Sequence, residues 1–361
     1  MIAPIVWNDR TMGFFDGHCR RDIALAASQV FLFFLGVPEG LQTKGFSWRT
    51  STSCNCDARM IQYIEKMGWY LYRFRGRENR QMQSMKQDRS PQLGEGPRIS
   101  VIMGVLCGKE RRELLQRSVS SILEQSFGDF EFLICDDGSA AEAKALLDGY
   151  AEADPRVRLI RPGDKLDLAS KLNACLPAAR GYYIARMDDD DRALPERFQK
   201  QAEALDADPG IAFAGSCVWL VRRGERCGER MLPEYPQVKD FYLTQPFIHP
   251  ALLFRKAVLE EVGGYSEGKR QVLCEDYDLL LRLYARGYRG RNLQEPLLEY
   301  TIPDTAKGNR RMGHRWNEAV TRWARFRELG VLPGALPYVV KPLAVGLLPE
   351  KLLRLLKERK N

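Results

Sequence analysis

From position 98 onward the chain alternates short, almost wholly apolar runs with amphipathic stretches of helical period. No other feature constrains the fold as strongly. The run at 98–106 (RISVIMGVL) is too short for a usual helix and too apolar for a surface strand. It reads as a strand buried on both faces. Residues 113–125 follow, with Leu114, Leu115, Val119 and Ile122 on one helical face. The pattern then repeats, with strands at 130–135, 157–160 and 182–187 and helices at 140–152 and 166–179. Such alternation predicts an α/β fold: a mostly parallel central sheet with flanking helices.

Sheets of this kind bind ligands beyond the carboxyl ends of their strands. Two of those ends are acidic here. The second strand runs into Asp136-Asp137-Gly138-Ser139, and the fourth into Asp188-Asp189-Asp190-Asp191. Neighbouring carboxylates repel each other. A divalent cation that prefers oxygen ligands, Mg²⁺ or Mn²⁺, relieves the repulsion and meets substrate phosphates at the same time. Asp188 and Asp190, two apart at a strand mouth, suit a metal-bound diphosphate. Asp136 or Asp137 suits a base or a ribose hydroxyl. A third cluster, Glu275-Asp276-Tyr277-Asp278, opens a helix at 277–285. Its carboxylates either complement the helix dipole or supply a general base. GxGxxG, P-loop and HExxH patterns are absent, which argues against a dinucleotide oxidoreductase.

The net charge of +8 calls for an anionic partner. Half of that excess lies at 336–361, where six basic residues face two acidic ones. On a helix starting near Pro349, Leu352, Leu353, Leu355 and Leu356 share a face, and Lys351, Arg354 and Lys357 lie opposite. That is the pattern of a basic amphipathic helix on an anionic membrane surface; the alternative is a helix docked on its own domain. With the charge concentrated there and the sheet ends acidic, no nucleic-acid partner is expected. The apolar stretch at 23–37 would span about 22 Å as a helix, short of a hydrocarbon core of about 30 Å. Asp9, Asp16 and Asp22 precede it, unlike a signal peptide. Nine cysteines at irregular spacing, with no CxxC, suggest a reducing, cytoplasmic compartment.

Five segments in order carry a family resemblance: ISVIMGV, SVSSILEQSFGDFEFLICDDGS, LNACLPAARGYYIARMDDDD, HPALLFRKAVLEEVGGYSE and CEDYDLLLRLYARGYRGRNLQEPLLEY. Together, over residues 98–303, they resemble the family 2 glycosyltransferases of GT-A fold. The resemblance implies a GT-A domain at 98–305. A largely helical N-terminal extension at 1–97 would precede it, and a C-terminal helical region at 306–361 would end in the basic helix. It also implies inverting, metal-dependent transfer, with Mn²⁺ or Mg²⁺, from a nucleotide-diphosphate sugar, a UDP-sugar first. The acceptor would be a glycan or polyprenyl-linked glycan in cell-surface polysaccharide synthesis. The enzyme would be peripheral on the cytoplasmic face of the membrane.

Residue by residue, the resemblance makes Asp276 the catalytic base. Asp137, with Asp136 beside it, contacts the base of the nucleotide, and Gly104 lines that pocket. Asp188 and Asp190 hold the metal, and Asp188 and Asp189 face the nucleotide-sugar. Arg186 helps to order this site. Glu275 and His249 stand on the acceptor side. The chain departs from relatives at Leu106 and Cys107, where they show an aromatic residue and Asn. It departs again at Leu280, where they show Trp, and at Tyr300-Thr301, where they show Tyr-Arg. Two other readings compete: a catalytically silent binding module, and a nucleotidyltransferase acting on a sugar phosphate. The intact acidic residues argue against the first, and the Glu275-Asp276 pair with the basic tail against the second.

Overall fold

The computed structural model describes residues 96–268, 273–302 and 312–347. The expected N-terminal extension and the basic helix at 349–361 lie outside the described residues.

The alternating rhythm forms as the sequence predicts. Strand β1 (Ile99–Val105) leads to helix α1 (Arg112–Leu123), β2 (Phe130–Asp136), α2 (Ala141–Ala153) and β3 (Val157–Ile160). Helix α3 (Leu168–Cys175) and β4 (Tyr183–Arg186) follow. These four strands pair in parallel, in the order β3-β2-β1-β4. Period-two alternation then divides the core. Ile99, Val101, Met103 and Val105 face one apolar cluster, with Leu115, Val119 and Ile122 of α1 and Leu147 of α2. Ile102 faces the other, with Leu172 of α3. Strands β1 and β2 are therefore covered on both sides, which is why their sequences are almost continuously apolar.

Beyond β4 the sheet becomes mixed. The chain adds β5 (Arg192–Ala193), α4 (Arg197–Ala207), β6 (Phe213–Arg222), β7 (Glu225–Arg230), β8 (Leu253–Arg255) and α5 (Lys256–Glu261). Then come α6 (Glu275–Ala285) and β9 (Gly290–Thr301). Strand β8 pairs antiparallel with both β4 and β6, while β6 and β9 pair in parallel. Strands β5 and β7 add antiparallel pairs. The sheet is thus parallel in its first half and mixed in its second. The cause is β8, only three residues long, which inserts between β4 and β6 with reversed direction.

Two helices close the described chain, α7 (Met312–Glu328) and α8 (Leu332–Leu347). No helix among the described residues is long and apolar enough to cross a membrane. Backbone approaches closely at Gly181, where a Cβ would lie 2.4 Å from the Ser100 nitrogen. Only glycine lets the chain enter β4 there.

Helix α7 is tied to α6 through Asp278. This buried carboxylate accepts from Ser266 Oγ (2.6 Å) and from the Nε atoms of Arg282 (2.9 Å) and Arg325 (2.8 Å). Arg322 of α7 also donates to the Tyr242 carbonyl (2.6 Å). Replacing Asp278 by alanine would leave Arg282 buried and unneutralised. Asp278→Ala is therefore expected to cost about 3–5 kcal/mol of stability. A urea titration followed by circular dichroism measures it. A loss of under about 1 kcal/mol, the scale of a surface pair, would contradict the anchor.

Candidate active site

Strand order β2-β1-β4 sets the site. Val105 pairs with Asp136, and Ile102 with Arg186. The acidic ends of β2 and β4 therefore flank the end of β1.

After β2 the two aspartates have different duties. Asp136 closes the turn: its Oδ1 accepts from the Ser139 (3.0 Å) and Gly138 (3.4 Å) amides. Arg161 stands 3.6 Å from its Oδ2. Asp137 pairs with the buried Lys171 of α3 (2.6 Å) and accepts the Leu166 amide. Lys171 also donates to the Val105 carbonyl (2.9 Å). Gly104 makes this possible, since a Cβ there would lie 3.0 Å from both Leu168 Cδ1 and Lys171 Cβ. Its absent side chain thus serves the approach of α3. Of the two departures at the end of β1, Leu106 is half exposed and Cys107 is buried. The Cys107 amide donates to Ser139 Oγ (3.0 Å), and burial pushes its thiol pKa up.

After β4 the four aspartates separate. One oxygen each from Asp188, Asp190 and Asp191 lies within 4.8 Å of the others. The sequence pattern points to Asp188 and Asp190; the structure brings Asp191 to them. Asp191 is fully buried. Its Oδ1 accepts the Thr301 amide (2.7 Å), and its Oδ2 is buried without a hydrogen-bond partner. Burial, then the charges of Asp188 and Asp190, raise its pKa well above the carboxylate range. Asp190 is pushed up to about 6 by burial and by Asp188 and Asp189. An all-oxygen set with an orphaned buried oxygen fits Mg²⁺ or Mn²⁺. Asp189 is held apart from this trio. Arg111 bridges it (2.7 Å) to Asp190 (3.1 Å).

The compensating charge is Arg186, fully buried and 2.5 Å from Asp188. Its Nε and Nη1 have no hydrogen-bond partner. Arg197, also fully buried, donates to the Arg186 carbonyl (2.9 Å) and holds this strand end in place. Burial and the Arg186 charge bring Arg197 down to about 9. Sequence reasoning missed Arg111, Lys171 and Arg197, because a single cation in a loop or helix carries no pattern.

The residues expected on the acceptor side also lie within the field of Arg186. Its charge acts on Glu275, His249 and Tyr265. Glu275 and Asp276 occupy the first turn of α6. Asp276 is half-buried, and its Oδ1 accepts the Tyr277 amide (2.7 Å). Glu275 is buried and pushed up to about 7, first by burial and then by the Asp276 charge. His249 lies in a 3₁₀ turn, buried, with Nε2 2.9 Å from the Tyr265 hydroxyl. Burial and Arg186 hold its pKa well below the usual histidine value. At Tyr300-Thr301, where relatives show Tyr-Arg, Thr301 bonds to the acidic loop. Thr301 Oγ1 donates to the Asp190 carbonyl (2.6 Å).

Residues 102–263 match the family model described as "Glycosyl transferase family 2". The chain is 31% identical over 258 residues to the Bacillus subtilis protein EpsE, named as a glycosyltransferase, covering 71% of this chain and 92% of that one. It is 28% identical to the amylovoran biosynthesis glycosyltransferase AmsE of Erwinia amylovora, covering 70% and 96%. It is 34% identical to the O-antigen biosynthesis glycosyltransferase WbnJ of Escherichia coli, covering 56% and 79%. In structure it resembles S. aureus TarS 1–349, solved in complex with UDP-GlcNAc. The TM-score is 0.53 at 16% identity, over 68% of this chain and 73% of that one.

The raised pKa of Glu275 has a definite sign. The folded chain holds this proton longer than the unfolded chain does. The group's contribution is complete below about pH 4.5 and is lost as pH rises through about 7. Relative to Glu275→Gln, the wild type is expected to lose about 3 kcal/mol between about pH 4 and about pH 8. Paired urea melts across that range measure it; parallel curves would refute the burial of an ionisable carboxyl here.

Proposed function

The chain belongs to the family 2 glycosyltransferases, and from that premise we propose that it is an inverting, metal-dependent enzyme of cell-surface polysaccharide synthesis. The donor is a nucleotide-diphosphate sugar, with a UDP-sugar first. The acceptor is a hydroxyl of a glycan or polyprenyl-linked glycan. The observation that carries this reading is the convergence of Asp188, Asp190 and Asp191, with one buried oxygen of Asp191 left unpartnered.

Asp188, Asp190 and Asp191 would hold Mn²⁺ or Mg²⁺. When bound, such an ion neutralises charge on the departing nucleoside diphosphate. Asp137 reads the base and Asp136 shapes the loop that presents it. Asp189, held by Arg111, borders the donor. Asp276 takes the proton of the acceptor hydroxyl while that oxygen bonds to the anomeric carbon and the carbon–phosphate-oxygen bond breaks. One displacement inverts the configuration. Glu275 and the His249–Tyr265 pair support the acceptor side of the same site. The UDP-GlcNAc bound by the structurally similar TarS and the polysaccharide names of AmsE and WbnJ agree with this chemistry. The basic amphipathic pattern at 349–361 supports a peripheral position on the inner face of the cell membrane.

Calorimetry against UDP, GDP, TDP and CMP, with and without Mn²⁺, tests the donor site. One nucleotide, UDP first, is expected to bind only with Mn²⁺, and Asp190→Ala to abolish that binding. Asp276→Asn is expected to keep nucleotide binding while kcat falls by about 10²–10⁴-fold. Manganese-independent binding that survives Asp190→Ala would overturn the metal assignment. Full turnover by Asp276→Asn would overturn the base.

A further inference from the structure

Five of the ten large apolar side chains exposed among the described residues lie on the last two helices. Met312, Trp316 and Trp323 belong to α7, and Leu336 and Val340 to α8, with exposures between 44% and 60%. They are not scattered. On α7, residues 312, 316, 320 and 323 fall within one quarter of the helix circumference at about 100° per residue. Val320, partly buried, completes that stripe. On α8, residues 336, 340 and 343 align in the same way, with Leu343 partly buried.

The helices run antiparallel. Arg315 near the start of α7 donates to the Pro342 carbonyl (3.4 Å). A Cβ on Gly346 would lie 3.0 Å from Met312 Cε. Both stripes are turned by about a quarter turn, in the same sense, from the buried side of their helices. In an antiparallel pair, stripes displaced in this way emerge on one side. The hairpin therefore presents one continuous apolar face with two tryptophans on it.

Charge selects the occupant. The sector of α7 that holds the stripe carries no acidic residue, and exposed Arg327 extends it one turn beyond Trp323. Helix α8 has no Asp or Glu at all. Its lysine, Lys341, donates to the Leu243 carbonyl (2.9 Å), beside another exposed leucine. The chain then continues for fourteen residues that hold five basic and two acidic side chains. Tryptophans on an apolar stripe, with an arginine at its end and a basic segment to follow, match the headgroup boundary of an anionic bilayer.

We propose that the α7–α8 hairpin is an interfacial membrane-docking face, with Trp316 and Trp323 as its anchors in an anionic lipid surface. This extends the peripheral position proposed above from the terminal basic segment to a rigid part of the domain. The consequence concerns catalysis. Arg325 of the docked helix grips Asp278 (2.8 Å), two residues from Asp276. Docking thus sets the acceptor-side helix α6 at a fixed orientation to the lipid surface, where a polyprenyl-linked hydroxyl would arrive.

The test is flotation of the full chain with vesicles of phosphatidylcholine alone and of phosphatidylcholine with about 30% of the anionic lipid phosphatidylglycerol. Tryptophan quenching by brominated lipid is read in parallel. The wild type is expected to float with the anionic vesicles only, and Trp316→Ser/Trp323→Ser to partition at least ten-fold less and lose most of the quenching. A second variant, Lys351→Gln/Arg354→Gln/Lys357→Gln, is expected to weaken flotation while tryptophan quenching persists in the bound fraction. Unchanged flotation and quenching in the double tryptophan variant would overturn the docking face. So would a wild-type dimer that this variant converts to monomer in sedimentation, because the face would then join two copies. Manganese-dependent nucleotide binding is read for every variant. Its loss in the wild type would defeat the catalytic proposal independently of the membrane result.

Discussion

The structure depends on how four consecutive aspartates are held at the end of one strand. Carboxylate oxygens within 4.8 Å of each other repel by about 3–4 kcal/mol per charged pair at an effective dielectric constant of about 20. Solvent cannot screen that repulsion at Asp191, which is fully buried. Arg186 supplies buried positive charge beside Asp188, and Arg111 pairs with both Asp189 and Asp190. Burial first, and then the neighbouring negative charges, raise the pKa values of Asp189, Asp190 and Asp191. A loop in this condition is poised for a cation, and the surrounding fold keeps it so. Arg197 fixes the strand end, and Thr301 bonds to the loop.

The same buried guanidinium links the aspartate loop to the start of helix α6. Its field reaches Glu275, Tyr265 and His249 as well as the aspartates. Glu275 is pushed up to about 7 because burial and then Asp276 outweigh that field. Helix α6, which carries both acids, is fastened by Asp278 to Arg325 of α7. A direct contact therefore joins the C-terminal hairpin to helix α6.

Much of this was legible before any coordinates. A buried parallel strand is apolar along its whole length, so β1 and β2 announced themselves. Their polar carboxyl ends stood out by contrast, which made Asp136, Asp137 and Asp188 to Asp191 visible as clusters. The second half of the sheet was not legible. Strand β8 has three residues, β5 has two, and every side chain of β7 is at least partly exposed, so none shows a usable period. The roles of single residues also escaped. No sequence pattern shows that the missing side chain of Gly104 admits Lys171 to Asp137.

The sequence alone determined the family, the α/β architecture and the acidic clusters at the strand ends. These are written in local patterns: the period of a strand, the period of a helix, and like charges side by side. Tertiary structure alone decided which aspartates converge, which cations neutralise them, and which apolar residues remain outside the core. Asp191 joins the trio because β9 brings the Thr301 amide to its carboxylate from 110 residues away. Arg186 became the central counter-charge because the sheet and α4 seal it from water. Such pairings depend on distances between segments remote in sequence, and no local pattern encodes them.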